Sequence, residues 1–186
     1  MIYLSVWADA LIVLLFGVST LSKIRNRTEF DEFAGSVQAV VAALPGGAFR
    51  GRPGARRAAG AVAAAEAAIP LLVVVPATTL AGHLFAMVLL ALFCAGIAAA
   101  LRRAVRPPCR CFGGKAAPLG VRHLVRNSLL AAVALAGALL SSASWDGAQA
   151  AGTAAALFAA MVFGLLIIRL DDIIDLFHPL PNTGGR

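Results

Sequence analysis

The chain has 186 residues, 60% of them hydrophobic and only 13% charged, with a net charge of +7 and a mean hydropathy of +0.86. A soluble domain is typically about 45–50% apolar, so this composition excludes a soluble globular protein and points to an integral membrane protein. The positive charge then has a membrane use, contact with anionic lipid, and nucleic acid is not expected as a partner.

A membrane-crossing helix needs about 20 predominantly apolar residues. Five stretches meet this, at roughly 2–22, 60–80, 81–101, 127–144 and 150–170. The first has no Lys or Arg ahead of it and no clear cleavage site after it, so it reads as a retained span rather than a signal peptide. Between the first and second spans, Thr28 is placed to cap a helix whose first turn carries Glu29, Asp31 and Glu32. Phe30, Phe33, Val37, Val40, Val41 and Leu44 follow at helical spacing on one face, until Pro45, Gly46 and Gly47 end the run. This segment is too short and too charged to span, and reads as an interfacial amphipathic helix. The expected architecture is all-α: one polytopic transmembrane domain over 1–170, with 171–186 a short C-terminal tail. There is no internal repeat.

Lys23, Arg25, Arg27, Arg50, Arg52, Arg56 and Arg57 fall between the first two spans. Arg102, Arg103, Arg106, Arg110, Lys115, Arg122 and Arg126 fall between, or border, the third and fourth. The remaining connections, PATTLAG and SSASWDGAQ, carry no basic residue. By the positive-inside rule the N-terminus faces outward, and both basic loops and the C-terminus are cytoplasmic. The expected location is therefore a multi-pass protein of the cell membrane.

Alternation of spans sorts the polar residues by face, whichever face is cytoplasmic. Lys23, Glu66, Cys109, Cys111, His123, Arg126 and Asn127 share the basic face. His83 and Asp9 lie toward the opposite one, either interfacial or paired. Glu66 is about six residues, or about 9 Å, into its span. A carboxylate at that depth is costly unless paired or hydrated, and Lys23 or Arg126 is available to pair with it. Pro70, lacking an N–H, leaves the carbonyl of residue 66 without its helical partner.

The stretch PPCRCFGG at 107–114 holds the only close pair of thiols. Three readings stand. Cys109 and Cys111 form a redox pair, since two cysteines so close can close only a small strained ring, as suits exchange, and Arg110 raises the reactive thiolate fraction. Alternatively they join His123 at a metal, although a structural zinc site lacks its fourth ligand here, so no metal is assigned. Or they are two idle reduced thiols. Cys94, inside the third span, reads as a small core residue.

An SK at 22–23 closing the first span, a phenylalanine-bearing amphipathic stretch ending in LP at 44–45, Glu66 followed by Pro70, CRCFG at 109–113 and RN at 126–127 together resemble the MauE family. That family is part of a wider group of small DoxX-like membrane proteins with a four-helix core, to which this chain adds a C-terminal span. The resemblance covers roughly residues 1–145 and is carried most specifically by the C-x-C-F-G followed by R-N. It implies a role in methylamine utilisation: assisting maturation of the disulfide-rich beta subunit of methylamine dehydrogenase, alongside a thioredoxin-like or other thiol protein. It implies Cys109 and Cys111 as the redox pair, with Arg110, Glu66, Lys23, His123, Arg126 and Asn127 supporting them.

Disulfide formation for an exported protein belongs on the oxidising side, whereas the charge bias sets this pair on the cytoplasmic side. Either the topology is inverted, or the pair serves another electron flow, such as passing reducing equivalents from a cytoplasmic thiol donor. Whether the chain is an enzyme is left open; if it is, a thiol-disulfide oxidoreductase is expected. No flavin, haem or nucleotide motif is present, and a membrane quinone is the one cofactor considered. The competing classes are a non-catalytic membrane subunit and a small-solute transporter. Pro70 and Pro76 hint at the broken helices of the latter.

Overall fold

The computed structural model describes residues 1–42, 52–104, 108–109, 117–141, 149–170 and 172–173. The helices are α1 (Ile2–Ile24), α2 (Arg27–Ala42), α3 (Arg52–Val74), α4 (Thr79–Arg102), α5 (Val121–Leu140) and α6 (Ala150–Ile168). Among the described residues, five helices, all but α2, are long and apolar enough to cross a membrane. The chain is an all-α, multi-pass integral membrane protein. Among the described residues the extended pairing is a two-residue antiparallel ladder, β1 (Pro108–Cys109) with β2 (Ala117–Pro118), and Cys109 lies opposite Ala117.

Several boundaries differ from the sequence expectation, α3 ending at Val74 rather than 80 and α5 at Leu140 rather than 144. Helix α3 starts at Arg52 rather than near 60, because its first turns are polar helix that hydropathy does not register as span. Helix α5 starts at Val121 rather than 127, for the same reason. The cap of α2 is Asn26 rather than Thr28: its Oδ1 accepts from the backbone N–H of Glu29 at 2.8 Å, the N-cap to N3 bond that satisfies an orphan donor.

The core is built on α1. Leu11, Ile12, Leu15 and Phe16 are buried against Ile69 and Val73 of α3, Ala86, Leu89 and Leu90 of α4, and Leu130 and Ala134 of α5. Helix α6 lies chiefly along α1. There Gly164 receives Leu14, Gly152 receives the Tyr3 ring, and Trp7 meets Phe163 edge-on with centroids 5.8 Å apart. Small residues at such crossings let helices approach where no hydrophobic effect drives them together. Large apolar side chains such as Leu71, Leu92, Leu139 and Phe163 point outward, as lipid-facing positions should.

Helices α3 and α4 form a tight hairpin. Pro76 has no N–H for the carbonyl of Leu72, and the Thr78 hydroxyl donates to that carbonyl instead, at 2.8 Å. Thr79 Oγ1 likewise donates to the carbonyl of Val73 at 3.0 Å. Gly82 sits against the backbone of Val73, where a Cβ would lie 2.8 Å from its nitrogen.

Candidate functional site

Two buried polar groupings occupy opposite ends of the bundle. At the basic end, Lys23 falls in the last turn of α1 rather than in a loop, and only 3% of it is exposed. Its Nζ donates to Glu66 Oε2 at 2.5 Å and to Ser19 Oγ at 2.7 Å. Ser19 Oγ in turn donates to Glu66 Oε2 at 3.3 Å. The spacing explains the cluster, since Ser19 and Lys23 stand four apart on one face of α1. Of the two candidate partners for Glu66, Lys23 makes the ion pair.

The length of α3 accounts for the depth of Glu66. Its first turns run past the end of α1, so a residue fourteen positions into α3, about 21 Å along it, is level with the last turn of α1. That overhang carries α2. Asp31 of α2 pairs with Arg56 of α3 at 3.0 Å, both largely exposed, and the Phe33 ring of α2 faces the Lys23 ammonium at 4.7 Å from its centroid. The ammonium thus has a carboxylate, a hydroxyl and an aromatic face around it, a filled shell for a buried cation. Phe33 was legible in the sequence only as one more residue of an apolar face. Ser19 was not singled out, although a small hydroxyl one turn before an intramembrane lysine is the signal that identifies it.

Helix α5 brings the other basic-face residues in. His123, Arg126 and Asn127 are buried, and with Leu130, Ala134 and Gly137 they form its packed stripe. The stripe is polar toward the basic end and small toward the other. His123 Nδ1 accepts from the backbone N–H of Gly120 at 3.2 Å. RN at 126–127 therefore lies in the second turn of a helix, turned inward, and does not open the span. Cys109 is on β1, which lies against α2; Arg110 and Cys111 lie outside the described residues. Cys94 is a free thiol, half-buried, with Sγ 3.7 Å from Ser128 Oγ.

At the far end, His83 Nε2 and Asp9 Oδ1 are 2.7 Å apart, joining α4 to α1. The sequence placed both toward this face, and the structure pairs them.

What the basic end can do chemically follows from its parts: a paired carboxylate and ammonium, buried and fixed in orientation, at the end of the bundle that carries the thiol strand. Comparison with known proteins bears on this arrangement. The family described as Methylamine utilisation protein MauE matches residues 1–140. No curated protein and no solved structure matches.

Proposed function

Since this chain belongs to the MauE family, we propose that it is a membrane thiol-disulfide exchange protein that helps a disulfide-containing partner mature, with Cys109 and Cys111 as the redox pair. The observation that most supports this reading is the buried Ser19–Lys23–Glu66 cluster at the basic end, roofed by α2, which also lies against the β1 strand carrying Cys109. The family description makes methylamine utilisation the first pathway to examine, with the methylamine dehydrogenase beta subunit as the partner.

In this reading the oxidised pair is attacked by a partner thiolate, which forms a mixed disulfide and releases one cysteine of the pair as thiolate. A second partner thiolate then attacks the partner sulfur of that bond. The partner gains a disulfide, and the pair leaves as two thiols carrying two electrons and, at equilibrium, two protons. Reoxidation falls to the disulfide of a thioredoxin-like protein or to a membrane quinone, which takes up those electrons and protons. Arg110 favours the thiolate form, and Lys23, Glu66, His123, Arg126 and Asn127 hold the bundle end on which the loop is carried. The charge bias of the loops favours a cytoplasmic position for this end, whereas oxidation of an exported partner requires the opposite orientation; on the cytoplasmic side the same exchange runs in reverse, passing reducing equivalents from a thiol donor.

A membrane-impermeant maleimide tests the reading, applied to a Cys94→Ala chain in intact cells and in inverted vesicles, each with and without prior reduction. Labelling of Cys109 and Cys111 that appears only after reduction supports a disulfide, and the preparation in which it appears identifies its side. Labelling that never depends on reduction overturns the redox reading. A complementary test uses a strain lacking the protein. Full rescue by both Cys109→Ser and Cys111→Ser would leave a non-catalytic membrane subunit as the better account.

A further inference from the structure

We propose that Asp9 and His83 form a proton-binding site, open only to the face of the membrane opposite the basic loops. The site is independent of whether the thiol pair is redox-active. His83 is fully buried while the Asp9 side chain is 20% exposed, so the bundle encloses the imidazole and leaves the carboxylate partly open. Its imidazole is held from two sides. Asp9 of α1 takes Nε2 at 2.7 Å. On the other side the ring lies against Gly137 of α5, so closely that a Cβ there would be 2.3 Å from Cε1. His83 Nδ1 has no hydrogen-bond partner among the described residues.

That unpartnered nitrogen is where the proton goes. With the imidazole neutral, Nε2–H donates to the ionised carboxylate and Nδ1 offers a lone pair. The pair then holds a net negative charge in apolar surroundings, which is unfavourable. One proton on Nδ1 converts it to an imidazolium–carboxylate pair of zero net charge, but leaves a buried N–H without an acceptor, also unfavourable. The two penalties oppose each other, so a proton can be gained or lost without dismantling the pair. Among the described residues, the other ionisable groups toward this end are the N-terminal amine and Tyr3 of α1, whose hydroxyl accepts from the Gln149 backbone N–H at 3.2 Å. The remaining ionisable residues of the packed helices are placed toward the basic end: Lys23 on α1, Arg52, Arg56, Arg57 and Glu66 on α3, Cys94 and Arg102 on α4, and Arg122, His123 and Arg126 on α5, while α6 has none.

One-sidedness follows from what lies between the two polar groupings. From Asp9 to Ser19 is ten residues of α1, about 15 Å, and its inward face there is Leu11, Ile12, Leu15 and Phe16, all buried. Among the described residues, the buried cluster of this layer is apolar throughout and offers a proton no polar group to step onto. On the other side Asp9 is seven residues from Ile2, about 10 Å, and His83 is four from Thr79, about 6 Å, from the helix ends.

The test is ¹⁵N NMR of the histidine rings in the full chain, reconstituted in sealed vesicles of known orientation, with pH varied on one side at a time. The expected result is a single protonation step at His83 Nδ1 that follows the pH on the side of the α1 N-terminus. That step should survive Glu66→Gln and be lost in Asp9→Asn. A His83 ring that keeps one protonation state over the range in which the chain stays folded would overturn the proposal and leave a purely structural clasp. A step that follows the basic-side pH, or is lost in Glu66→Gln, would refute the isolation. The wild-type measurement alone decides between these outcomes if Asp9→Asn does not fold.

Discussion

Replacing Glu66 with leucine tests whether the Lys23–Glu66 pair is a closed, dry interaction. The Lys23 ammonium has three N–H donors, one engaged by Glu66 at 2.5 Å and one by Ser19 at 2.7 Å, with the Phe33 ring 4.7 Å away. Without the carboxylate, a cation that is 3% exposed keeps only a neutral hydroxyl and an aromatic face. Removing one partner of a buried pair costs about 3–5 kcal/mol, and the Phe33 contact, present before and after, offsets none of it, so Glu66→Leu should cost about 3–5 kcal/mol. Lys23→Met strands the carboxylate with Ser19 alone and should cost about 3–5 kcal/mol. The double variant, with both charges gone and the volume refilled, should recover to within about 1 kcal/mol of the wild type or exceed it. Equilibrium unfolding in mixed micelles, followed by circular dichroism, gives all four corners of the cycle. Single variants that each cost under about 1 kcal/mol and simply add in the double would mean that water reaches the pair.

Gly137→Ala should destabilise the bundle by about 1–3 kcal/mol, the usual range for overpacking, because the new methyl meets the His83 ring; His83→Ala in the same chain should restore much of the loss, read by the same unfolding assay. Gly82→Ala should be worse tolerated than Gly164→Ala, since the first drives a methyl against the backbone of Val73 and the second against the tip of the Leu14 side chain, which can rotate away; thermal melts in detergent rank the two. Arg56→Ala removes an exposed partner of Asp31 and should shift stability by under about 1 kcal/mol, leaving the melting temperature almost unchanged.

Composition and alternating loop charge were enough for an all-α membrane bundle, because transfer to lipid is a property of the residues themselves. The starts of α3 and α5 were not legible in the same way. Arg52–Arg57 and Val121–Arg126 are helical for reasons of contact, with α2 and within the bundle, and a hydropathy window registers only their charge. In α5 the helical spacing of His123, Asn127 and Leu130 was present in the sequence, but polar residues at core positions read as loop until their neighbours are known. Glu66 announced itself by the cost of an intramembrane carboxylate, yet the choice of Lys23 over Arg126 depended on how far α3 overhangs α1. Gly137 carried no signal at all, being one small residue among many alanines and glycines, and its role exists only because His83 happens to cross it.

The turn between α3 and α4 has a consequence for how the protein is made. Its freed carbonyls at Leu72 and Val73 are taken up by the hydroxyls of Thr78 and Thr79, and the connection carries no charge. Backbone groups left open in hydrocarbon each cost several kcal/mol, and charged side chains more. This turn presents few of the former and none of the latter. Helices α3 and α4 are therefore suited to enter the bilayer together as a folded hairpin, leading with a tip that can cross the apolar layer without a hydrated loop being dragged through it.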